Sequence, residues 1–215
     1  MTSKLLGLDN YLINMKDLIM GMDVSTQTIG LCLMDENKKL LELTHISPKI
    51  PKPLPENKLE ILFKKSDIVK EFLSKYININ ISKIIIEEPL ILSNNIYTCV
   101  TLIRFNTMIS RVIYDLFDIV PEFLSSYESR KNAFPELMQP RKYRKNGEKI
   151  LKLEKPVLFG DYPYESDKKM IIWDLIQREY PEIQWIYNKN NVLAKESFDM
   201  SDAVCVILAY INLNN

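Results

Sequence analysis

An apolar run from Ile19 to Met34, IMGMDVSTQTIGLCLM, is broken near its start by one acid, Asp23, and then by the polar residues Ser25 to Thr28. Met20, Met22 and Val24 surround the acid at a position where a central strand carries another apolar side chain, so the carboxylate needs a partner. Ser25, Thr26, Gln27 and Thr28 supply groups that close a tight turn, and Ile29 to Met34 reads as a strand returning antiparallel. The pattern predicts a hairpin with an acid near its base. That acid is either a partly exposed strand cap or one member of a site.

The same reading continues along the chain. Residues 1–18 form an amphipathic extension with Leu5, Leu6, Leu8 and Leu12 available to pack. Lys39 to Ile46 predicts a third strand, with His45, the only histidine, at its end and no constellation around it. Four prolines between Ser47 and Pro55 require an extended connector. Leu59, Ile61, Leu62, Ile68, Val69, Phe72 and Leu73 recur at helical spacing within Asn57 to Tyr76. Ser82 to Glu87, SKIIIE, is a strand buried on both faces, and Pro89 stops it directly after Glu87 and Glu88. Two acids therefore sit at the carboxyl end of a parallel strand, where open α/β sheets place their sites, or else in a solvated loop.

Asn95 to Phe117 predicts a long helix whose apolar positions, Ile103, Met108 and Ile109 among them, are either core or a dimer face. Val120 to Tyr127 predicts a short strand. Asp167, Lys168 and Lys169 open a helix running to Tyr180, and two lysines in a first turn oppose the helix dipole, which suggests a bound anion. Ser197 to Ile211 is a helix apolar enough to be buried, with Asp199 and Asp202 three apart on one face near its start. In the order βββαβαβαα, the first-strand acid, the fourth-strand acid and the helical pair converge at one end of the sheet.

At 215 residues, 47% hydrophobic and 26% charged, the chain has the composition of one globular domain. Its 28 basic residues balance 28 acidic ones, so a polyanionic partner has to be met by a local patch. One such patch lies from Gln139 to Lys155, with seven Lys and Arg residues against Glu148 and Glu154, a net charge of +5. It is a phosphate-backbone contact built on Arg141, Lys142, Arg144 and Lys145, or solvated surface. Cys32, Cys99 and Cys205 lie in apolar segments without metal-ligand spacing and read as reduced thiols of an intracellular, non-secreted protein. Lys4, Asp9 and Asp17 leave no unbroken apolar run near the start, so neither a signal peptide nor a membrane anchor is expected.

Clustered carboxylates repel one another, so a site of three or four holds either protons or cations. An all-oxygen set favours magnesium, with manganese as a substitute, and a pair of such ions clamps the attacking and leaving oxygens of a phosphodiester. GMDVSTQTIGLCLMD, IIIEEPL and FDMSDAVCVILAY resemble, in order and spacing over about 190 residues, the three acidic motifs of the RuvC-type Holliday junction resolvases.

The resemblance implies an α/β, ribonuclease H-like fold over residues 19–215: a mixed five-stranded sheet, its first three strands antiparallel and the rest parallel, flanked by helices. It implies catalytic, metal-binding roles for Asp23, Glu87, Asp199 and Asp202, an activating or phosphate role for Lys168 or Lys169, and a DNA contact at Leu90, where the family often has an aromatic wedge. The implied activity is two-metal endonucleolytic cleavage of branched DNA, resolving four-way junctions by paired nicks. A homodimer is expected, because two equivalent strands are cut, and no small-molecule cofactor. Glu88 and an insertion at about 132–164 depart from the compact bacterial pattern and point to a viral or organellar branch, placing the protein in a host cytoplasm or virus factory, or in an organelle. Alternatives are an RNA-processing nuclease of the same fold and a non-catalytic nucleic-acid scaffold. MDVSTQTIG also resembles the first phosphate loop of sugar kinases, which need a second comparable domain.

Overall fold

The structure, a computed structural model, describes residues 17–89, 95–151 and 154–214. Leu90 and the extension up to residue 16 lie outside the described residues. The hairpin forms as its turn chemistry predicts: β1 (Leu18–Val24) and β2 (Ile29–Met34) pair antiparallel with Asp23 opposite Gly30. Ser25 closes the turn, its hydroxyl donating to the Thr28 carbonyl at 2.8 Å and accepting from the Thr28 amide at 3.1 Å. β3 (Leu40–Ile46) adds antiparallel to β2. The chain then crosses over through α1 (Lys58–Leu73), capped by Asn57, to β4 (Ile81–Glu87), which lies parallel to β1.

α2 (Ile96–Phe117), capped by the Asn95 side chain, leads to β5 (Glu122–Leu124), parallel to β4. The five-stranded sheet has the order β3-β2-β1-β4-β5, antiparallel on one side of β1 and parallel on the other. This is the mixed sheet of the ribonuclease H-like fold. The rest comprises α3 (Ser126–Ala133), the short ribbon β6 (Met138–Pro140) and β7 (Pro156–Leu158), α4 (Lys168–Glu179) and α5 (Lys195–Asn214).

Alternation along the strands sorts the core into two layers. Met20, Met22, Val24, Leu31, Ile84 and Ile86 face α1 and α2, where Phe105, Ile109 and Ile113 are fully buried. Ile19, Cys32, Met34 and Ile85 face the opposite way, onto α5, whose Val204, Cys205, Ile207 and Leu208 are buried. Ile84, Ile85 and Ile86 are all fully buried, the consequence of a strand covered on both faces. Ile109 lies inside this core, so it offers no dimer surface, whereas Ile103 on the same helix is 42% exposed.

The three cysteines are free and buried. Among the described residues no helix is long and apolar enough to cross a membrane.

Candidate functional site

The two-residue period of a strand decides which acids meet. On β1, Ile19, Gly21 and Asp23 point to the α5 side; on β4, Ile85 and Glu87 do the same. Glu88 belongs to the other parity: it lines a groove with Pro89, Ile103 and Phe123 and also stands at the edge of the acid cleft. The isoleucine run preceding them thus puts Glu87, the last residue of β4, on the same side of the sheet as Asp23 and Glu88 on the other.

α5 approaches this side unusually closely because two glycines permit it. A Cβ on Gly21 would stand 2.5 Å from the Ala203 carbonyl oxygen, and one on Gly30 would stand 2.1 Å from the Asp199 carbonyl oxygen. Gly30 is the strand partner of Asp23, so the close approach brings the first turns of α5 beside that carboxylate. Asp23, Glu87, Asp199 and Asp202 line one cleft of about 540 Å³, with Arg130, Lys169 and Lys195 on its walls. Asp199 and Asp202 are each only 3% exposed.

The electrostatics are those of a crowded acidic site. Burial, then Glu87, Asp202 and Asp199, push the Asp23 carboxyl well above its usual range, against the opposing pull of Lys169. Glu87 rises to about 7, through burial first and Asp202 second, while Arg130, Lys169 and the Ser126 hydroxyl oppose the rise. Asp199 rises to about 6, chiefly by burial, with Lys169 and Lys195 pulling the other way. Burial works to lower the Lys169 ammonium, but Asp202, Asp23 and Asp199 lift it above its ordinary value, so it stays charged.

Asp202 sits between two cations: Arg130 Nη2 is 3.4 Å from one carboxylate oxygen and Lys169 Nζ is 3.3 Å from the other. This pairing accounts for the lysine in the first turn of α4, where Asp167 already caps the helix, without any bound anion. Lys168 turns away from the acids, its Nζ lying 5.3 Å from the centroid of the Tyr164 ring. In the basic ribbon, Tyr143 bridges to Lys149 and Lys142 pairs with Asp161 at 2.9 Å.

Arg130 and Ser126 belong to α3, an element absent from the sequence reading, which ran a strand through to Tyr127. β5 ends at Leu124, and Ser125 opens α3 with a full capping box to Glu128. That Ser-x-x-Glu signal stands in the sequence. The helix behind it has almost no apolar stripe because it packs on α5 through small residues such as Ser129 and Ala133.

The donor set suits a hard divalent cation in its chemistry. All four carboxylates are oxygen donors, and Asp199 Oδ2 is buried without a hydrogen-bond partner. Among the described residues no three acidic, histidine or cysteine side chains already stand in a ligating arrangement; Arg130 and Lys169 balance Asp202 instead.

No protein-family model and no curated protein matches the chain. Solved structures do. RuvC of Thermus thermophilus in complex with a Holliday junction substrate superposes with a TM-score of 0.52 at 10% identity, over 92% of this chain and 94% of that one. A further Thermus thermophilus RuvC structure gives 0.51 at 11% identity, over 92% and 95% of the two chains. A yeast mitochondrial Holliday junction resolvase gives 0.43 at 9% identity, over 95% and 85%, too slight a likeness to add to the fold assignment. At these identities the two RuvC structures establish a RuvC-like fold for this chain.

Proposed function

We propose that this protein is a divalent-cation-dependent endonuclease that hydrolyses phosphodiester bonds in branched DNA, with four-way junctions as the substrate it resolves by paired nicks. The observation carrying this is the cleft in which Asp23, Glu87, Asp199 and Asp202 meet at the carboxyl ends of β1 and β4 and the start of α5. The RuvC-like fold is consistent with it.

Asp23, Glu87 and Asp199 would hold the cations, magnesium or manganese, with Asp202 joining them as its pairs with Arg130 and Lys169 loosen. When bound, two such ions polarise the phosphoryl group and stabilise the attacking and leaving oxygens of an in-line displacement. The chain's own residues do the rest. Asp23, Glu87 and Asp199 give up the protons that their raised affinities retain, so cation uptake releases protons. Lys169, held charged, faces the negative charge that grows on the phosphate. Arg130 keeps Glu87 from rising further. The basic ribbon from Arg141 to Lys145 supplies backbone contacts.

Arg130→Gln is expected to raise the Glu87 carboxyl above about 7, because it deletes the largest of the opposing charges. The acid limb of the cleavage–pH profile should then move upward by roughly one unit, with activity recovering in alkaline buffer. A pH profile superimposable on that of wild type would remove Arg130 from the electrostatics of the site.

Two equivalent strands of a junction call for two sites, and a dimer provides them. The outer face of α2, with Ile96, Tyr97, Val100 and Ile103 exposed, is the candidate surface. Sedimentation should give a two-chain species that Ile103→Glu dissociates, with paired but not single nicking lost.

The test of the function is cleavage of four-way junction, flap, duplex DNA and structured RNA, with and without magnesium. Magnesium-dependent nicking concentrated on the junction is expected. Preference for the RNA would make the protein an RNA-processing nuclease, and binding without cleavage would make it a scaffold.

A further inference from the structure

Tyr164 gathers three cations around one ring. The Lys168 Nζ, the Lys145 Nζ and the Arg141 guanidinium carbon lie 5.3, 5.8 and 6.0 Å from its centroid. They arrive from separate stretches: Arg141 and Lys145 from the arm after β6, and Lys168 from the first turn of α4. Lys168 is fixed further by a hydrogen bond from its ammonium to the Tyr164 carbonyl.

An aromatic face attracts a cation, but far more weakly than a carboxylate does, and like charges gathered this closely repel. Among the described residues none of the three has an acidic partner, whereas their neighbour Lys142 is paired with Asp161 at 2.9 Å. The charge of this cluster is therefore uncompensated, and the ring is what keeps its members converging. Arg141, Tyr164 and Lys168 also line a cavity of about 180 Å³ with Phe159 and Tyr162. At about 30 Å³ for each water, that is room for a phosphate group with part of its hydration.

The cluster is linked to the acid cleft through the first turn of α4, whose Lys168 turns to Tyr164 and whose Lys169 turns to the acids. Lys168 and Lys169 are successive residues, about 3.8 Å apart at Cα, and Lys169 reaches Asp202. An anionic strand leaving the cleft past Lys169 and over the start of α4 would meet Lys168 next.

We propose that Arg141, Lys145 and Lys168, organised by Tyr164, form a second phosphate-binding subsite that grips the nucleic-acid strand beside the cleaved bond. This rests on the reading of the chain as a nuclease, and it narrows the contacts of the basic stretch. Arg141 and Lys145 bind phosphate, Lys142 does not, and Lys168 serves binding rather than the reaction. Tyr164 is a positioning residue: it acts by holding the three cations in register.

The experiment is the salt dependence of binding of the full chain to a fluorescent four-way DNA junction in EDTA, between about 50 and 200 mM salt. Each phosphate contact contributes about 0.9 to the log–log slope, so the Arg141→Ala, Lys145→Ala, Lys168→Ala triple variant should flatten it by about 2–3 units. Lys142→Ala should leave the slope unchanged within about half a unit. Tyr164→Leu should flatten the slope although no charge is lost, and Tyr164→Phe should restore it.

An unchanged slope in the triple variant, or equal losses from Lys142→Ala, would overturn the subsite while leaving the nuclease reading intact. Conversely, the expected slopes from a chain that cleaves nothing would uphold the subsite and sink that reading.

Discussion

Replacing Asp23 by Asn is expected to abolish magnesium-dependent cleavage of a four-way junction while making the cation-free protein more stable. The two effects share one cause. Asp23 is a carboxyl that burial and three neighbouring acids hold well above its usual range. In the folded chain it therefore keeps a proton that the unfolded chain would have released. Such a group stabilises the fold below its unfolded pKa and loses that contribution as pH rises through its folded pKa. Glu87, at about 7, and Asp199, at about 6, behave the same way, so the melting temperature of the cation-free protein should fall between pH 5 and 8.

Asn removes the Asp23 share of that loss. A gain of 1 kcal/mol would appear as about 2–4 °C in a chain of this size, and it should be larger at pH 8 than at pH 5. Cleavage should fall by roughly 1000-fold or more, because several kcal/mol of charge stabilisation go with the lost ligand. Junction binding, which depends on the basic surface, should persist. A variant that still cleaves would sink the active-site assignment, and one that melts lower at pH 8 would contradict the electrostatics.

The second large effect is expected from a single methyl group. Gly30→Ala places a Cβ 2.1 Å from the Asp199 carbonyl oxygen and 2.8 Å from the Met200 amide nitrogen. Both are backbone atoms of a buried helix, so no rotamer relieves the overlap and α5 has to move off the sheet. Overpacking of this kind costs about 3 kcal/mol, which lowers Tm by about 6–12 °C here. Any displacement of α5 also carries Asp199 and Asp202 away from Asp23, so cleavage should be lost in whatever fraction stays folded. Gly147→Ala is the control: its φ of 82° is unfavourable for alanine, but no atom lies within 4 Å of the added carbon. A Gly30→Ala protein that melts within 2 °C of wild type would show that the helix does not need this approach to the sheet.

What the sequence disclosed about this architecture depended on the strength of the local pattern. The hairpin, the triple-isoleucine strand and the last helix are legible because each combines an apolar run with a clear stop: the Ser25 turn, Pro89 and the acid pair. The chain order of strands and helices follows from them, while the mixed sheet is what the resemblance to the resolvases implies. α3 was not legible from periodicity, since a helix packed through small residues carries almost no apolar stripe, and with it went Arg130 and Ser126. The two lysines opening α4 suggest an anion from the sequence alone; Asp202, 33 residues further on, supplies the charge for Lys169. Such a pairing across distant segments leaves no local trace. Gly30 was equally silent, because the need for a missing side chain appears only when the helix is laid on the strand.

The central claim, that these carboxylates take up divalent cations, is tested most directly by titrating manganese into the protein by calorimetry at about pH 6.5, where Glu87, at about 7, still keeps most of its proton, in buffers of differing ionisation enthalpy. Saturable binding to wild type with release of protons is expected, together with its loss in the Asp23→Asn, Glu87→Gln double variant. Equal binding to the double variant, or none to wild type, would contradict it.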